Sequence, residues 1–250
     1  MISLVKLLKE VVNTPKAIFM SGPAGSGKTH IRKKLGIEGF EVINVDDDLE
    51  ILLKKELGKV DYSKMTPDEL SQAGKLMSIA RKTTKEKEKS SIERLQNIII
   101  DGTGAASGPL LKKKSELEDL GYKTFMVLIY VSPITSLERN KERDRSLPIN
   151  AILSSWKGLV SSIDAYKNEF GNNIVLINND PEDANTTFTD PQSILKQFPT
   201  PKGKPKTPEE IAKSREKKAQ LNKDIQDLLK IERGFDTFDQ AKSQISKFLQ

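Results

Sequence analysis

A glycine-rich stretch near the start of the 250-residue chain combines residue types that bind phosphate. Residues 22–29 read Gly-Pro-Ala-Gly-Ser-Gly-Lys-Thr and fit the pattern G-x-x-x-x-G-K-[ST] at every fixed position. Glycines let backbone N–H groups turn inward around an anion that a side chain would keep away. Lys28 supplies a positive charge for the β- and γ-phosphates, and the Thr29 hydroxyl is a ligand for Mg²⁺. The predicted nucleotide-binding residues are Gly22, Pro23, Ala24, Gly25, Ser26, Gly27, Lys28, Thr29 and His30.

The segments on either side of this loop have the character that a phosphate-binding loop requires. Residues 17–20 are a short apolar run, typical of a buried parallel strand. Residues 29–35 read as a helix that stops at Gly36. The alternative is a glycine-rich turn that matches by chance, and the order of strand, loop and helix disfavours it. The stretch therefore predicts a site for a nucleoside triphosphate, with the helix N-terminus beneath the phosphates.

An aspartate at the end of another apolar run is a candidate metal ligand. Residues 97–101 read Asn-Ile-Ile-Ile-Asp, which predicts a strand ending in Asp101. A carboxylate in this place holds Mg²⁺ directly or through water in many phosphate-loop proteins. The alternative is an aspartate that only caps the turn after the strand. The complete loop elsewhere in the chain favours the metal role.

Three consecutive aspartates provide candidates for a general base. Residues 41–45 predict a strand, and Asp46, Asp47 and Asp48 follow it directly. A carboxylate there can take the proton of an acceptor hydroxyl while the hydroxyl attacks a phosphoryl group. We assign this role to Asp46, because it follows the strand directly, and keep Asp48 in reserve. The alternative is that these aspartates cap the next helix.

A third group of charged residues follows the predicted strand 124–131. Arg139 and Arg143 are four residues apart on a predicted helix, and Arg145 comes just after them. Arginines in this place are expected to form a lid that stabilises the charge of the transferring phosphoryl group. The alternative is a solvated face on which they pair with local acids. Those acids are Glu138, Glu142 and Asp144.

The order of the predicted elements indicates the fold class. Strands alternate with helices along the chain, which predicts a three-layer α/β/α core with a mostly parallel sheet. This is the P-loop NTPase arrangement, with ligands at the carboxyl ends of the strands. The predicted strands are 17–20, 41–45, 97–101, 124–131 and 174–177.

Composition restricts the class of protein. The chain contains no cysteine, so disulfides and thiolate metal sites are excluded, and a reducing cytoplasm is the expected location. Residues 1–13 have the apolar spacing of one helix face, but charged residues interrupt it, so we expect neither a signal peptide nor a membrane span.

The positive charge is concentrated in the C-terminal part. The segment Lys202–Lys223 holds eight Lys or Arg and three Glu, a net +5 of the chain's +6. We predict a kinase domain over 1–198, a Pro/Lys linker over 199–208 and a basic helical extension over 209–250. The basic segment is a candidate for binding nucleic acid. The alternative is a solvated extension, because the segment has no interleaved aromatic residues to stack on bases.

Several of these stretches together resemble one family of phosphate-loop kinases. The loop, the segment Ile43-Asn-Val-Asp46 and the segment Ile98-Ile-Ile-Asp-Gly-Thr-Gly104 resemble zeta-toxin-like kinases over roughly residues 15–180. The stretch 138–148, with Trp156 and Phe170-Gly171, looks most like the phage-encoded members. The resemblance implies an ATP- and Mg²⁺-dependent kinase in which Asp46 is the base and the lid arginines clamp the γ-phosphate.

The resemblance leaves the acceptor open. Zeta toxins phosphorylate a sugar hydroxyl of UDP-N-acetylglucosamine, and they tend to carry an arginine after Gly-Thr-Gly. This chain has Ala105 and Ala106 there, which weakens the inference to that acceptor but not to the reaction. A nucleic-acid 5′-hydroxyl, or a hydroxyl on a modified base, is an alternative acceptor. A nucleic-acid-binding protein that uses ATP as a switch is an alternative of another class.

Overall fold

A five-stranded parallel sheet forms the centre of the protein. The structure is a computed structural model that describes residues 14–142, 147, 149–181 and 234–250. The strand order is β2-β3-β1-β4-β5, and every neighbouring pair is parallel. The strands are β1 (Lys16–Ser21), β2 (Glu41–Ile43), β3 (Ile98–Gly102), β4 (Lys123–Tyr130) and β5 (Ile174–Asn178).

Seven α-helices lie in the part of the chain that the structure describes. They are α1 (Lys28–Lys34), α2 (Val45–Leu57), α3 (Pro67–Glu93), α4 (Ser107–Asp119), α5 (Pro133–Lys141), α6 (Ile149–Phe170) and α7 (Phe238–Leu249). None of these helices is long and apolar enough to cross a membrane. The amphipathic spacing predicted for residues 1–13 lies outside the described residues.

Alternating residues of the central strand divide the core into two layers. Ala17 and Phe19 of β1 pack with residues of α4 and α6, such as Leu117. Ile18 and Met20 pack on the opposite face with residues of α1 and α7. Successive side chains of a strand point to opposite faces, so a strand buried on both faces is apolar throughout. The predicted three-layer α/β/α fold with a parallel sheet is confirmed.

The second strand is shorter than the sequence predicts. We expected a strand over 41–45, but β2 ends at Ile43 and α2 begins at Val45. The Asn44 side chain accepts a hydrogen bond from the Asp46 backbone N–H, which caps the helix early. Asp46 therefore lies in the first turn of α2, not at the end of a strand, and Asn44 is the N-cap in place of the aspartates.

The last helix packs against the sheet and lies within the range 209–250 that we predicted as a C-terminal extension. We placed residues 209–250 in an extension, but Ala241 and Ile245 of α7 are fully buried against the sheet. Just before α7, Asp236 forms a parallel bridge with Ile177 of β5. The predicted linker 199–208 and the basic segment Lys202–Lys223 lie outside the described residues.

This packing predicts a large effect on stability. We expect Ile245→Ala to lower the free energy of unfolding by about 2–5 kcal/mol, because it opens a cavity in a core that cannot fully collapse. Urea unfolding followed by circular dichroism measures this change. Ser243→Ala, on the exposed face of the same helix, is the matched control. If both variants lost the same small amount of unfolding free energy, α7 would not contribute to the stability of the core.

Candidate active site

The glycine-rich loop links β1 to α1 at the carboxyl edge of the sheet, and its shape depends on the absence of side chains. Gly25 has a φ of 78°, a conformation that other residues rarely adopt. A Cβ on Gly22 would lie 2.4 Å from the Ser26 hydroxyl oxygen and 2.8 Å from the Ile129 carbonyl oxygen. The glycine spacing is therefore required by the loop itself. The N–H groups of the first turn of α1 are available to an anion, because Gly27 has no side chain to cap them.

Three side chains from distant parts of the chain hold three successive carbonyl groups of this loop. The Ser136 hydroxyl donates to the carbonyl oxygen of Ala24. The Arg139 guanidinium donates to the carbonyl of Gly25 at 3.1 Å, and the Asn179 amide donates to the carbonyl of Ser26 at 2.8 Å. Arg139 also donates to the Asn179 carbonyl at 3.0 Å, which joins α5 to the end of β5. These hydrogen bonds stabilise the conformation of the loop.

Lys28 and Asp101 meet beside the loop. The Lys28 ammonium donates to the Gly22 carbonyl at 3.0 Å and lies 3.7 Å from the Asp101 carboxylate. Burial raises the pKa of the Asp101 carboxyl, an effect that the Lys28 charge opposes and that Asp47 and Asp46 reinforce. The Asp101 Oδ1 atom is buried and accepts no hydrogen bond. The structure thus brings together the predicted phosphate-binding lysine and the predicted metal carboxylate.

The aspartates after β2 lie at the same edge of the sheet. Strands β2 and β3 are neighbours in register, with Ile43 opposite Ile100, so the residues after each strand adjoin. The Asn44 amide donates to Asp101 Oδ2 at 3.2 Å. Burial, together with the nearby Asp46 and Glu50 charges, raises the pKa of the Asp47 carboxyl. The Asp46 side chain is exposed, as a base that must reach an acceptor requires.

The Gly-Thr-Gly segment after β3 is held against helix α6. The Tyr166 hydroxyl donates to the Gly104 carbonyl at 2.8 Å. The indole of Trp156, which is 1% exposed, donates to the Val131 carbonyl at 2.7 Å. Helix α6 therefore fixes the chain after β3 and after β4, the two segments that flank the central strand. Trp156 is therefore a residue of the core.

Other predicted site residues have varied surroundings. Thr29 and His30 lie in the first turn of α1 with exposed side chains. Asp48, the reserve candidate for the general base, accepts a hydrogen bond from the Thr84 hydroxyl of α3. This contact joins α2 to α3. Arg143 and Arg145 lie outside the described residues, so their lid role stays a prediction.

The contacts of Arg139 bear on the two alternatives that we considered for it, a phosphate clamp and a solvated face paired with local acids. It is bound to the backbone of the loop, and among the described residues no ion pair to a local acid is found for it. The observed contacts make it a positioning residue for the loop. A phosphate clamp formed by this arginine remains untested.

The sequence analysis missed Asn44, Ser136 and Asn179. Asn44 carried a signal, because an asparagine before three aspartates is a typical helix N-cap. Asn179 also follows an apolar run at the same edge as Asp101. Ser136 carried none, since a serine within a helix gives no indication of a partner more than a hundred residues away.

These contacts predict the effect of removing Arg139. We expect Arg139→Ala to raise the dissociation constant for nucleotide about tenfold, because two loop-side carbonyls lose a charged donor. Titration of a fluorescent ATP analogue measures this constant. Arg81→Ala on the exposed side of α3 removes the same charge away from the loop and should change nothing. Unaltered affinity combined with slower turnover would support the transition-state clamp instead.

The site contains two oxygen atoms that could bind a metal ion. Within the described ranges, no group of three or more His, Asp or Glu side chains could bind a metal. Asp101 Oδ1 and the Thr29 hydroxyl would supply two oxygen ligands, and hard cations such as Mg²⁺ commonly take further ligands from phosphates and water.

The fold is similar to those of several solved structures. The complex AvrRxo1-ORF1:AvrRxo1-ORF2 with sulphate ions matches at 15% identity with a TM-score of 0.55, over 94% of this chain and 81% of that one. The same complex with ATP matches at 15% identity with a TM-score of 0.50, over 96% and 82%. The PezAT toxin–antitoxin system of Streptococcus pneumoniae matches at 19% identity with a TM-score of 0.41, over 91% and 95%. At these identities the likeness to AvrRxo1 concerns the fold alone.

The family is established by sequence. No protein of curated function matches the chain. The sequence model of the family described as Zeta toxin matches residues 5–190, which is most of the 250 residues and includes the loop, Asp46, Asp101 and Arg139. The chain therefore belongs to the Zeta toxin family and is a nucleotide-binding phosphotransferase of the P-loop kinase type.

Proposed function

We propose that the protein transfers the γ-phosphate of ATP to a hydroxyl group of a small molecule or a nucleotide-type acceptor. The observation that carries this proposal is the meeting of Lys28 and Asp101 at 3.7 Å beside a phosphate loop whose carbonyls are already held. A site for phosphate, a site for a cation and a nearby carboxylate are the parts that phosphoryl transfer needs.

The residues at this site fit Mg²⁺. Asp101 Oδ1 is a buried carboxylate oxygen without a hydrogen-bond donor, and burial raises its pKa, so a cation would relieve an unfavourable charge. We propose that Asp101, directly or through water, and the Thr29 hydroxyl hold the ion. When bound, Mg²⁺ neutralises charge on the β- and γ-phosphates.

The chain's own residues would then carry the reaction as follows. The loop N–H groups and Lys28 bind and orient the phosphates. Asp46 takes the proton of the acceptor hydroxyl. At the same time the oxygen of that hydroxyl forms a bond to the γ-phosphorus. The bond from that phosphorus to the bridging oxygen breaks, and ADP leaves. Arg143 and Arg145 are proposed to stabilise the developing charge from the lid, and Arg139 keeps the loop in place.

ATP is the proposed donor. A complex of similar fold has been crystallised with ATP, and its TM-score against this chain is 0.50. Resemblance to zeta-toxin-like kinases supports the same donor.

The acceptor is the part of the proposal that an experiment must supply. The purified protein would be incubated with γ-labelled ATP and Mg²⁺ and four acceptor pools: nucleotide sugars, nucleosides, 5′-hydroxyl oligonucleotides and DNA with hydroxymethylated bases. Lys28→Ala is the blank. We expect label to move to the nucleotide-sugar or nucleoside pool.

Other outcomes select the alternatives. Label in either nucleic-acid pool would make the protein a nucleic-acid kinase. Release of label only as free phosphate, stimulated by DNA or RNA, would support the ATPase switch and overturn the kinase proposal.

The role of the basic segment needs a variant that spares helix α7. Deletion of residues 199–250 would remove the buried Ala241 and Ile245 along with the cations. Replacing the eight Lys and Arg of Lys202–Lys223 with Gln tests nucleic-acid affinity without that damage. We propose a linker over 199–208 and a cytoplasmic location, the latter because the chain has no cysteine.

A further inference from the structure

One asparagine bridges the two strand ends that carry the proposed base and the proposed metal carboxylate. Asn44 is the N-cap of α2, and its Oδ1 accepts from the Asp46 N–H at 2.8 Å. Its Nδ2 donates to Asp101 Oδ2 at 3.2 Å. We propose that Asn44 is a positioning residue that orients the Asp101 carboxylate for the metal–nucleotide complex and fixes the turn carrying Asp46 against it. This inference rests on the proposed function and deepens it.

The register of the sheet places Asn44 beside Asp101. Residues 41, 42 and 43 of β2 lie opposite residues 98, 99 and 100 of β3. One residue further along, Asn44 after β2 therefore lies beside Asp101 of β3. The contact follows from strand pairing and does not depend on a flexible loop, which is what a positioning role requires.

The two oxygens of the Asp101 carboxylate have different surroundings. Oδ2 accepts from the Asn44 amide, whereas Oδ1 is buried, has no hydrogen-bond donor and lies 3.7 Å from Lys28 Nζ. With Oδ2 held, the side chain cannot rotate freely, and Oδ1 stays on the side of Lys28 and the loop. Because an amide is neutral, it fixes the carboxylate without cancelling the charge that attracts a cation. Such outer partners of metal ligands are worth about 10–100-fold in metal affinity.

Capping alone does not account for asparagine at this position. Serine, threonine and aspartate cap helices about as well. Aspartate has no donor for Asp101 and would add a further carboxylate to a group that already includes Asp46 and Asp47. Serine is too short to span the same distance while it caps the helix. Of the usual N-cap residues, asparagine alone provides an acceptor for the helix and a donor that reaches Asp101.

The variant Asn44→Ser separates the two roles, because it keeps the cap and loses the donor. Mn²⁺ serves as the probe for Mg²⁺, and its binding to the protein–ATP mixture is measured by electron paramagnetic resonance. We expect the dissociation constant for Mn²⁺ to rise about 10–100-fold in Asn44→Ser. Affinity for ATP in the presence of EDTA should stay the same, and hydrogen exchange of the Asp46 amide should not accelerate. Asn150→Ser, exposed on α6, is the control.

The outcomes separate this inference from the proposed function. Wild-type affinity for Mn²⁺ in Asn44→Ser would overturn the inference and reduce Asn44 to a helix cap. Faster exchange of the Asp46 amide with unchanged Mn²⁺ binding would overturn it in the same way. If the wild-type protein transfers no label to any acceptor while Asn44→Ser still weakens Mn²⁺ binding, the kinase proposal fails and the role of Asn44 stands.

Discussion

Asp46→Asn is expected to leave nucleotide affinity unchanged and to lower the rate of phosphoryl transfer about 10²–10⁴-fold, the range for loss of a general base. The substitution removes the proton acceptor but preserves the size of the side chain. The Asp46 side chain is exposed in the first turn of α2, and the Asp46 backbone N–H, which the substitution retains, donates to Asn44. Binding of the phosphates depends on the loop and on Lys28, which the substitution does not touch. Rapid-mixing measurement of transfer, with separate titration of ATP, tests both parts.

The neighbouring acids provide the comparison. Glu50→Gln makes the same change of charge one turn along α2, where Glu50 forms an ion pair with Lys54 at 2.7 Å, and should retain wild-type rates. Asp47→Asn is the informative rival, because the pKa of the Asp47 carboxyl is raised towards the range of an effective base. If Asp47→Asn stops transfer and Asp46→Asn does not, the base is Asp47.

The fold was predictable from the sequence where local pattern and tertiary packing agree. Strand β1 is apolar at 17–20 because both of its faces are covered, and the loop after it has a fixed pattern because its backbone surrounds an anion. The packing of helix α7 on the sheet was not predicted, for the opposite reason. Its apolar face was visible in Ala241 and Ile245, but the sequence before it is charged and rich in proline, and nothing local shows which surface that face covers. The start of α2 was misplaced because a helix cap overrode the apolar run 41–45.

The site divides in the same way. Lys28, Asp46 and Asp101 could be proposed from the sequence because each stands next to a strand or a loop with a recognisable pattern. The hydrogen bonds that hold the loop join residues separated by 112 and 153 positions, from Ser136 to Ala24 and from Asn179 to Ser26. Serine and asparagine occur in many surroundings, so their types alone do not indicate such contacts. Arg139 was identified, but its partner was a backbone carbonyl, which no pattern of charges predicts.

Asp101→Asn is expected to slow metal-dependent transfer strongly and to remove the unfavourable burial of a charged carboxylate from the folded protein. Burial raises the pKa of the Asp101 carboxyl above its ordinary value of 3.8, so the folded state opposes ionisation. For a raised pKa, stability is greatest below the unfolded value and is lost as the pH rises through the folded value. Asparagine has no such titration. In EDTA and without nucleotide, the free energy of unfolding of the variant relative to wild type should therefore increase as the pH rises above the ordinary pKa of an aspartate.

The rate of phosphoryl transfer by the same variant should fall, although its relative stability rises. Without the carboxylate, transfer at saturating ATP should fall about 10²-fold or more, because the bound metal supplies several kcal/mol of charge stabilisation. Asp119→Asn at the exposed end of α4 removes an equal charge and should alter neither quantity. A relative stability that decreases with rising pH would mean that Lys28 outweighs burial and that Asp101 is a structural ion-pair partner. A gain in stability with a loss of transfer would instead show that Asp101 is needed for transfer although it destabilises the folded protein. This combination is expected for a metal ligand in a buried site.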